Sequence, residues 1–218
     1  VKPYFYPTDK LILDAKGMII HQVALKGEKL DFNYDNFKLR IDLPKKHTKE
    51  ESYTLYIKYT ARPEKVKQKG SAAISGAKGL YFINADGSDK NKPTQIWTQG
   101  ETEASSCWFP TIDSPNQKSS QEIYITVPNK YKTLSNGKLV SQKKEGSNRT
   151  DYWKFDQKHA PYLFFMGVGE FEVIKDSYKN IPIEYYVEKE YAPYAKDIFG
   201  DTPEMLDFFS TLLGVEYP

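Results

Sequence analysis

The sequence predicts a mainly β fold of antiparallel strands, on three observations. Residues 37–43 alternate strictly, with Phe37, Leu39, Ile41 and Leu43 on one face and Lys38, Arg40 and Asp42 on the other. Residues 53–61 alternate in the same way and stop short of Pro63. A period of two over this length marks a strand with one face in a core and one in water. Aromatic residues make up 15% of the 218 residues, with 17 tyrosines, and such side chains favour a pleated, half-buried surface.

The remaining elements follow along the chain. Residues 10–13, 18–25 and 29–34 read as three further strands joined by short polar turns, with His21 a structural side chain inside one of them. From Val66 to Gly79 the composition turns to Lys, Gly, Ser and Ala without a period, which predicts a loop. A strand restarts at 79–83, Asp86-Gly87 signals a turn, and a strand at 95–97 runs directly into Thr98. Strands are expected at 121–127, 132–134, 138–142, 151–155, 162–168 and 170–174, with Asn136-Gly137 as a two-residue hairpin signal. Asn148-Arg149-Thr150 matches a glycosylation sequon by pattern alone. Near Asp176 the composition changes. A strand at 183–187 precedes a helix at 192–199 ending at Gly200, then a second helix. For that helix Thr202 is the expected N-cap, Pro203 the first helical residue, Glu204 a favourable first-turn charge and Gly214 the C-cap. Met205, Leu206, Phe208, Phe209, Leu212 and Leu213 form its apolar face.

Composition narrows the function classes. The net charge is +2, so no strong field points to nucleic acid or a membrane surface. No segment approaches the roughly 20 consecutive apolar residues of a membrane helix. The basic cluster from Lys45 to Lys49 is flanked by Glu50 and Glu51 and reads as a solvated turn. The single cysteine, Cys107, forms no internal disulfide and is expected to be a buried structural thiol beside Trp108. The only histidines are His21, His47 and His159, without a pair at i, i+4 spacing, whereas a catalytic zinc needs three protein ligands and an open position.

Chemistry concentrates at Thr98-Gln99-Gly100-Glu101-Thr102-Glu103 and the segment behind it, Cys107-Trp108-Phe109-Pro110-Thr111-Ile112-Asp113-Ser114-Pro115. Gly100 allows a tight bend and a close approach. Glu101 then projects from the end of a strand, a rigid mount for a group that binds a cation. Glu103 lies two residues further on and reads as a solvated acid. The segment 108–115 reads as structural, with Trp108 and Phe109 packed behind the Glu101 turn and Asp113 capping its own turn.

This string resembles the aminopeptidase N family of zinc metallopeptidases, in its bacterial type. Thr98, Gln99, Glu101, Phe109, Pro110, Asp113 and Pro115 stand where that family has a T-Q-x-E turn followed by an aromatic-Pro-x-x-Asp-x-Pro segment. Leu134-Ser135-Asn136-Gly137 and the run from Tyr162 to Phe171 are similar to two later family segments. The resemblance implies a saddle-like antiparallel β domain over residues 1–175 and the first strand and helices of a zinc catalytic domain over 176–218. It implies a parent that removes N-terminal residues from peptides. Glu101 would bind the substrate's α-amino group, and Gln99 would lie beside the pocket for the first side chain. The family's G-x-M-E-N and H-E-x-x-H motifs are absent. The chain is therefore expected to be an internal fragment, with zinc carried by the parent and none by these residues, no catalytic residue of its own, and a catalytic domain in cis as its partner. The compartment stays open between bacterial cytoplasm and cell envelope.

A second class remains at this stage: a non-catalytic β-sheet module binding carbohydrate or protein. Tyr53, Tyr56 and Tyr59 offer a stacking surface for it, against the plainer expectation that Tyr53 and Tyr59 share a core face.

Overall fold

The structure, a computed structural model, describes residues 1–66 and 76–217. Most of the expected loop between Val66 and Gly79 therefore lies outside the described residues. Fifteen strands and two α-helices are present among the described ones, and every strand pair is antiparallel.

The first part is a small sandwich. Strands β1 (Thr8–Asp14), β4 (Phe32–Tyr34) and β5 (Lys38–His47) form one sheet in the order β1-β5-β4. Strands β2 (Ile19–Leu25), β3 (Glu28–Lys29) and β6 (Leu55–Thr60) form the other in the order β3-β2-β6. Leu11, Leu13, Val23, Leu25, Leu39, Ile41 and Leu43 fill the space between them. Alternation placed these residues correctly, with one correction. Phe37 precedes β5 and is 64% exposed, so it leaves the face shared by Leu39, Ile41 and Leu43. Its chain is already bending, held by the Asp35 carboxylate, which accepts the Phe37 and Lys38 N–H groups. Tyr53 is buried and Tyr59 packs against the same core, while Tyr56 faces outward. The three tyrosines therefore form no common stacking surface.

The second part sets two sheets against a separate core. Strands β7 (Leu80–Ile83), β8 (Gln95–Thr98), β10 (Lys132–Ser135) and β13 (Met166–Gly169) run in the order β10-β13-β8-β7. Strands β9 (Ser119–Pro128), β11 (Lys138–Glu145) and β12 (Asn148–His159) run β11-β12-β9. Ile125, Val127, Trp153 and Val168 are buried between them, with Ile96, Leu134 and Met166 packed alongside.

Asn136-Gly137 corrects a sequence expectation. It joins β10 to β11, which do not pair with each other but belong to different sheets. Gly137 has φ +85°, and a Cβ there would lie 2.7 Å from Phe155 Cβ. The dipeptide is a corner between layers, not a hairpin, because the φ > 0 that suits a tight hairpin suits any sharp reversal. The expected strand at 162–168 is also shorter than predicted. Residues Pro161–Leu163 form a 3-10 turn and only β13 is extended.

Strands β14 (Phe171–Tyr178) and β15 (Ile181–Glu188) close a hairpin in which Lys175 pairs with Glu184. A 3-10 segment (Lys189–Tyr194) leads into α1 (Ala195–Phe199) and α2 (Thr202–Leu213), so the single helix expected at 192–199 begins as 3-10 turns. Asp201, not Thr202, is the N-cap residue of α2, and Pro203 is second in the helix. The Thr202 hydroxyl instead donates to the Phe199 carbonyl at 2.6 Å, closing the bend between the two helices. Gly214 ends α2 in the left-handed region at φ +66°, as expected. Met205, Phe208, Phe209, Leu212 and Leu213 are all exposed.

One polar group inside the second core was not legible in the sequence. Arg149 and Asp151 stand two apart on β12 and pair through Nε–Oδ1 at 2.6 Å and Nη2–Oδ2 at 2.9 Å. Asp151 also accepts from the Thr133 hydroxyl at 2.7 Å and the Gln142 amide at 2.9 Å. Trp153 Nε1 donates to that same Thr133 oxygen at 3.0 Å. Burial alone would raise the Asp151 carboxyl; the Arg149, Thr133 and Gln142 hydrogen bonds outweigh it and hold it below the ordinary carboxylate value. The stability it contributes is therefore present above the unfolded carboxylate pKa and is lost as the pH falls through the lower folded value. Arg149→Met should cost about 3–5 kcal/mol by leaving the Asp151 charge buried and unpaired. Urea unfolding at neutral pH measures this, and the loss should shrink in acid, where Asp151 is protonated in both states.

Candidate functional site

The candidate site grows from the end of β8. Thr98 faces inward, where its hydroxyl oxygen accepts the Met166 N–H at 2.9 Å. The β7–β8 ladder continues one residue further, because Gln99 N–H donates to the Gly79 carbonyl at 2.9 Å. The chain then leaves the sheet. The Ala104 N–H closes the turn on the Gly100 carbonyl at 2.9 Å, and the Glu101–Thr102 peptide within it is cis.

Gly100 is where the turn meets the rest of the domain. A Cβ at this position would lie 2.6 Å from the Tyr162 carbonyl oxygen and 2.7 Å from Tyr162 Cα, with Ser105 Oγ closer still. The glycine thus serves an approach to the protein's own 3-10 turn rather than only to a ligand. Ser105, fully buried, donates its hydroxyl to the Pro161 carbonyl at 2.7 Å on the same 3-10 turn.

Gln99 and Glu101 lie side by side. The Gln99 side-chain carbonyl accepts the Glu101 N–H at 2.6 Å, which fixes the first residue of the turn and the orientation of the amide. The Glu101 side chain is exposed, and its carboxylate has no hydrogen-bond or ion-pair partner among the described residues. Glu103 is exposed too, but its carbonyl takes the Lys16 ammonium at 2.7 Å. Lys16 N–H reaches the Ser106 carbonyl at 2.7 Å, so the end of β1 grips the far side of the turn.

The segment behind the turn is structural, as expected, though not in every detail. Trp108 is buried, Phe109 packs edge-on against it at 4.6 Å, and Phe109 continues onto Phe164 at 5.2 Å. Asp113 does not cap its own turn. Its Oδ2 accepts the Ser106 N–H at 2.8 Å, and its own N–H goes to Asp14 Oδ2 at 3.1 Å. Burial holds its carboxyl above the ordinary value, against the Ser106 bonds and the Lys16 charge that lower it. Cys107 is buried with its thiol directed at the Ala77 carbonyl. Burial pushes that thiol up to about 11, which removes it as a nucleophile near neutral pH.

The residues present do not fit a zinc centre. His21 Nε2 lies 2.8 Å from Thr60 Oγ1, His47 is buried against Tyr53 with ring centroids 4.4 Å apart, and His159 stacks on Phe164 at 4.3 Å. Among the described residues, no three His, Cys, Asp or Glu side chains come together to hold a metal ion.

Comparison with known proteins identifies the frame that carries this turn. The family described as the peptidase M1 N-terminal domain matches residues 3–163. The chain belongs to the peptidase M1 family. It is similar to a probable aminopeptidase 1 of Sulfurisphaera tokodaii, at 27% identity over 79% of this chain and 19% of that one. Its fold is similar to that of Legionella pneumophila aminopeptidase A, solved in complex with aspartic acid, with a TM-score of 0.77 at 18% identity over 96% of this chain and 23% of that one. It is also similar to an M1 zinc metallopeptidase from Deinococcus radiodurans, with a TM-score of 0.67 at 16% identity over 83% and 39% of the two chains. The chain spans about a fifth of the length of that first relative. The mainly β architecture is that of the M1 N-terminal domain.

Sequence reasoning singled out Gln99 and Glu101 as candidates and did not anticipate the groups that seat their turn, Ser105, Pro161 and Tyr162. The signal available was Gly100 itself, a residue whose contact partner no spacing reveals. Gly100→Ala should displace the turn from the 161–163 segment and cost about 1–3 kcal/mol by overpacking. Gly76→Ala, where a Cβ meets nothing within 4 Å, is the control and should leave the unfolding midpoint unchanged.

Proposed function

We propose that this chain serves in a zinc-dependent aminopeptidase and that Glu101 receives the α-ammonium group of a peptide substrate. The observation that carries the proposal is the exposed Glu101 carboxylate, without a partner among the described residues, on a turn fixed from both sides. A peptide's free α-amino group has a pKa of about 7.7–8.0, so much of it is charged near neutral pH. A fixed carboxylate attracts that charge through charge-assisted hydrogen bonds. It also sets register, since only the chain terminus carries this charge, and the bond one residue in is then the one presented for cleavage. Gln99 supports the anchor by holding the Glu101 N–H and borders the place of the first side chain.

In this proposal the zinc and its ligands belong to a catalytic domain in cis whose opening includes residues 176–218. A zinc held there would activate water for attack on the peptide carbonyl; the residues described here bind and orient the substrate. The exposed apolar face of α2 agrees with this division, because Met205, Phe208, Phe209, Leu212 and Leu213 need a covering surface that the described residues do not provide.

The test is a pair of substitutions in the full-length parent. Glu101→Gln keeps size and hydrogen bonding and removes the charge. It should lower kcat/KM for aminoacyl substrates about 10- to 1000-fold, with zinc content and melting temperature unchanged. Glu103→Gln makes the same chemical change two residues away and should alter kcat/KM less than about threefold. Equal losses at both positions, or none at Glu101, would remove the amine-anchor role.

A further inference from the structure

Tyr162, which Gly100 touches, belongs to a segment that is itself held in place from a distance. Residues 161–165 make up most of the connection from β12 to β13, and two of the five, Leu163 and Phe165, meet Asn136 or its neighbour Ser135. The Asn136 side-chain amide donates to the Leu163 carbonyl at 2.9 Å, and its side-chain oxygen accepts the Phe165 N–H at 2.6 Å. Asn136 follows directly on β10, whose last residue, Ser135, pairs with Met166. The side chain thus continues the β10–β13 ladder past its backbone end, bonding two residues that the 3-10 turn has pulled out of strand geometry. The Ser135 hydroxyl completes the grip by donating to the Phe165 carbonyl at 2.6 Å, and Gln121 Nε2 donates to that hydroxyl oxygen at 2.9 Å.

The same segment also carries the Glu101 turn. Ser105 bonds Pro161, Gly100 rests against Tyr162, and Phe109 packs on Phe164. Asn136 and the turn that carries Glu101 therefore both contact one five-residue strap and are linked through it. A side chain that bonds Leu163 and Phe165, on either side of Phe164, fixes that part of the strap along the sheet as well as its distance from it. Gly100 leaves no slack where the turn meets Tyr162, so a shift of the strap must move the turn. We infer that Asn136 is a positioning residue for the amine anchor, acting through residues 161–165 on the Glu101 turn. The inference rests on the proposed role of Glu101.

A double-substitution cycle in the full-length parent tests it, with kcat and KM measured separately on an aminoacyl p-nitroanilide that the parent cleaves. Asn136→Ala should lower kcat/KM roughly tenfold through misplacement of the anchor. In the Glu101→Gln background the same substitution should cost less than about twofold, because the anchor it positions is gone. Asn136→Asp is the second variant. It keeps the size and the acceptor for the Phe165 N–H but turns a carboxylate oxygen toward the Leu163 carbonyl, and it should show the same non-additivity in a folded protein. The same fold-loss from Asn136→Ala and Asn136→Asp in both backgrounds overturns the inference and leaves Asn136 a purely structural group. So does a fall in kcat proportional to the folded fraction with KM unchanged. A Glu101→Gln parent with full activity overturns the anchor itself, a result distinguishable from the first two because it appears in the single variant.

Discussion

The close approach of Gly100 to the Tyr162 backbone is the constraint on which the candidate site depends. It leaves no room for a side chain, so the turn that follows β8 must lie directly on the strap between β12 and β13. Ser105, Phe109 and Gln99 position the turn; Asn136 and Ser135 hold the strap, and Thr98 bonds Met166 at its end. Because hydrogen bonds and ring packing hold both the turn and the strap, the turn has few alternative positions. A binding carboxylate benefits from that, since ordering it on ligand arrival would weaken binding.

The same logic explains why the first sandwich matters to the site although its core lies elsewhere. Asp14 at the end of β1 bonds Asp113 N–H through its side chain and exchanges backbone hydrogen bonds with Thr111. Lys16, two residues on, holds Glu103 and Ser106. Two separate cores thus converge on a single turn, one through the Asp14–Lys16 stretch and the other through β8 and β13. The buried Arg149–Asp151 pair ties β12 to β10 of the other sheet through Thr133, and β12 leads into the strap.

Much of the frame was legible in the sequence because a period of two is a direct consequence of strand geometry. The alternation of Leu39, Ile41 and Leu43 and of Tyr53 through Tyr59 located core faces that the structure shows. Signals that depend on φ alone were less specific. Gly137 needs a left-handed backbone, but Asn136-Gly137 turns between sheets instead of within a hairpin, and nothing in the dipeptide distinguishes the two. Asp113 and Thr202 bond as their chemistry predicts but to partners other than those expected, since a short polar side chain takes the nearest unsatisfied group, and tertiary packing decides which that is. Phe37 broke the alternation because Asp35 captures the backbone one step before β5 begins. For the candidate site, family resemblance pointed to Gln99 and Glu101, while the strap that seats their turn was invisible because its contacts span many residues (62 from Gly100 to Tyr162) and are made largely by backbone atoms.

The central claim is that the Glu101 carboxylate meets the amino terminus of a peptide. A crystal structure of the full-length parent with a bound peptide analogue that carries a free α-amino group tests it most directly. The account predicts the amino nitrogen within about 2.7–3.2 Å of a Glu101 carboxylate oxygen, with Gln99 still bonded to the Glu101 N–H and Gly100 still seated on Tyr162. An amino group held by other residues, with Glu101 left in solvent, would contradict it.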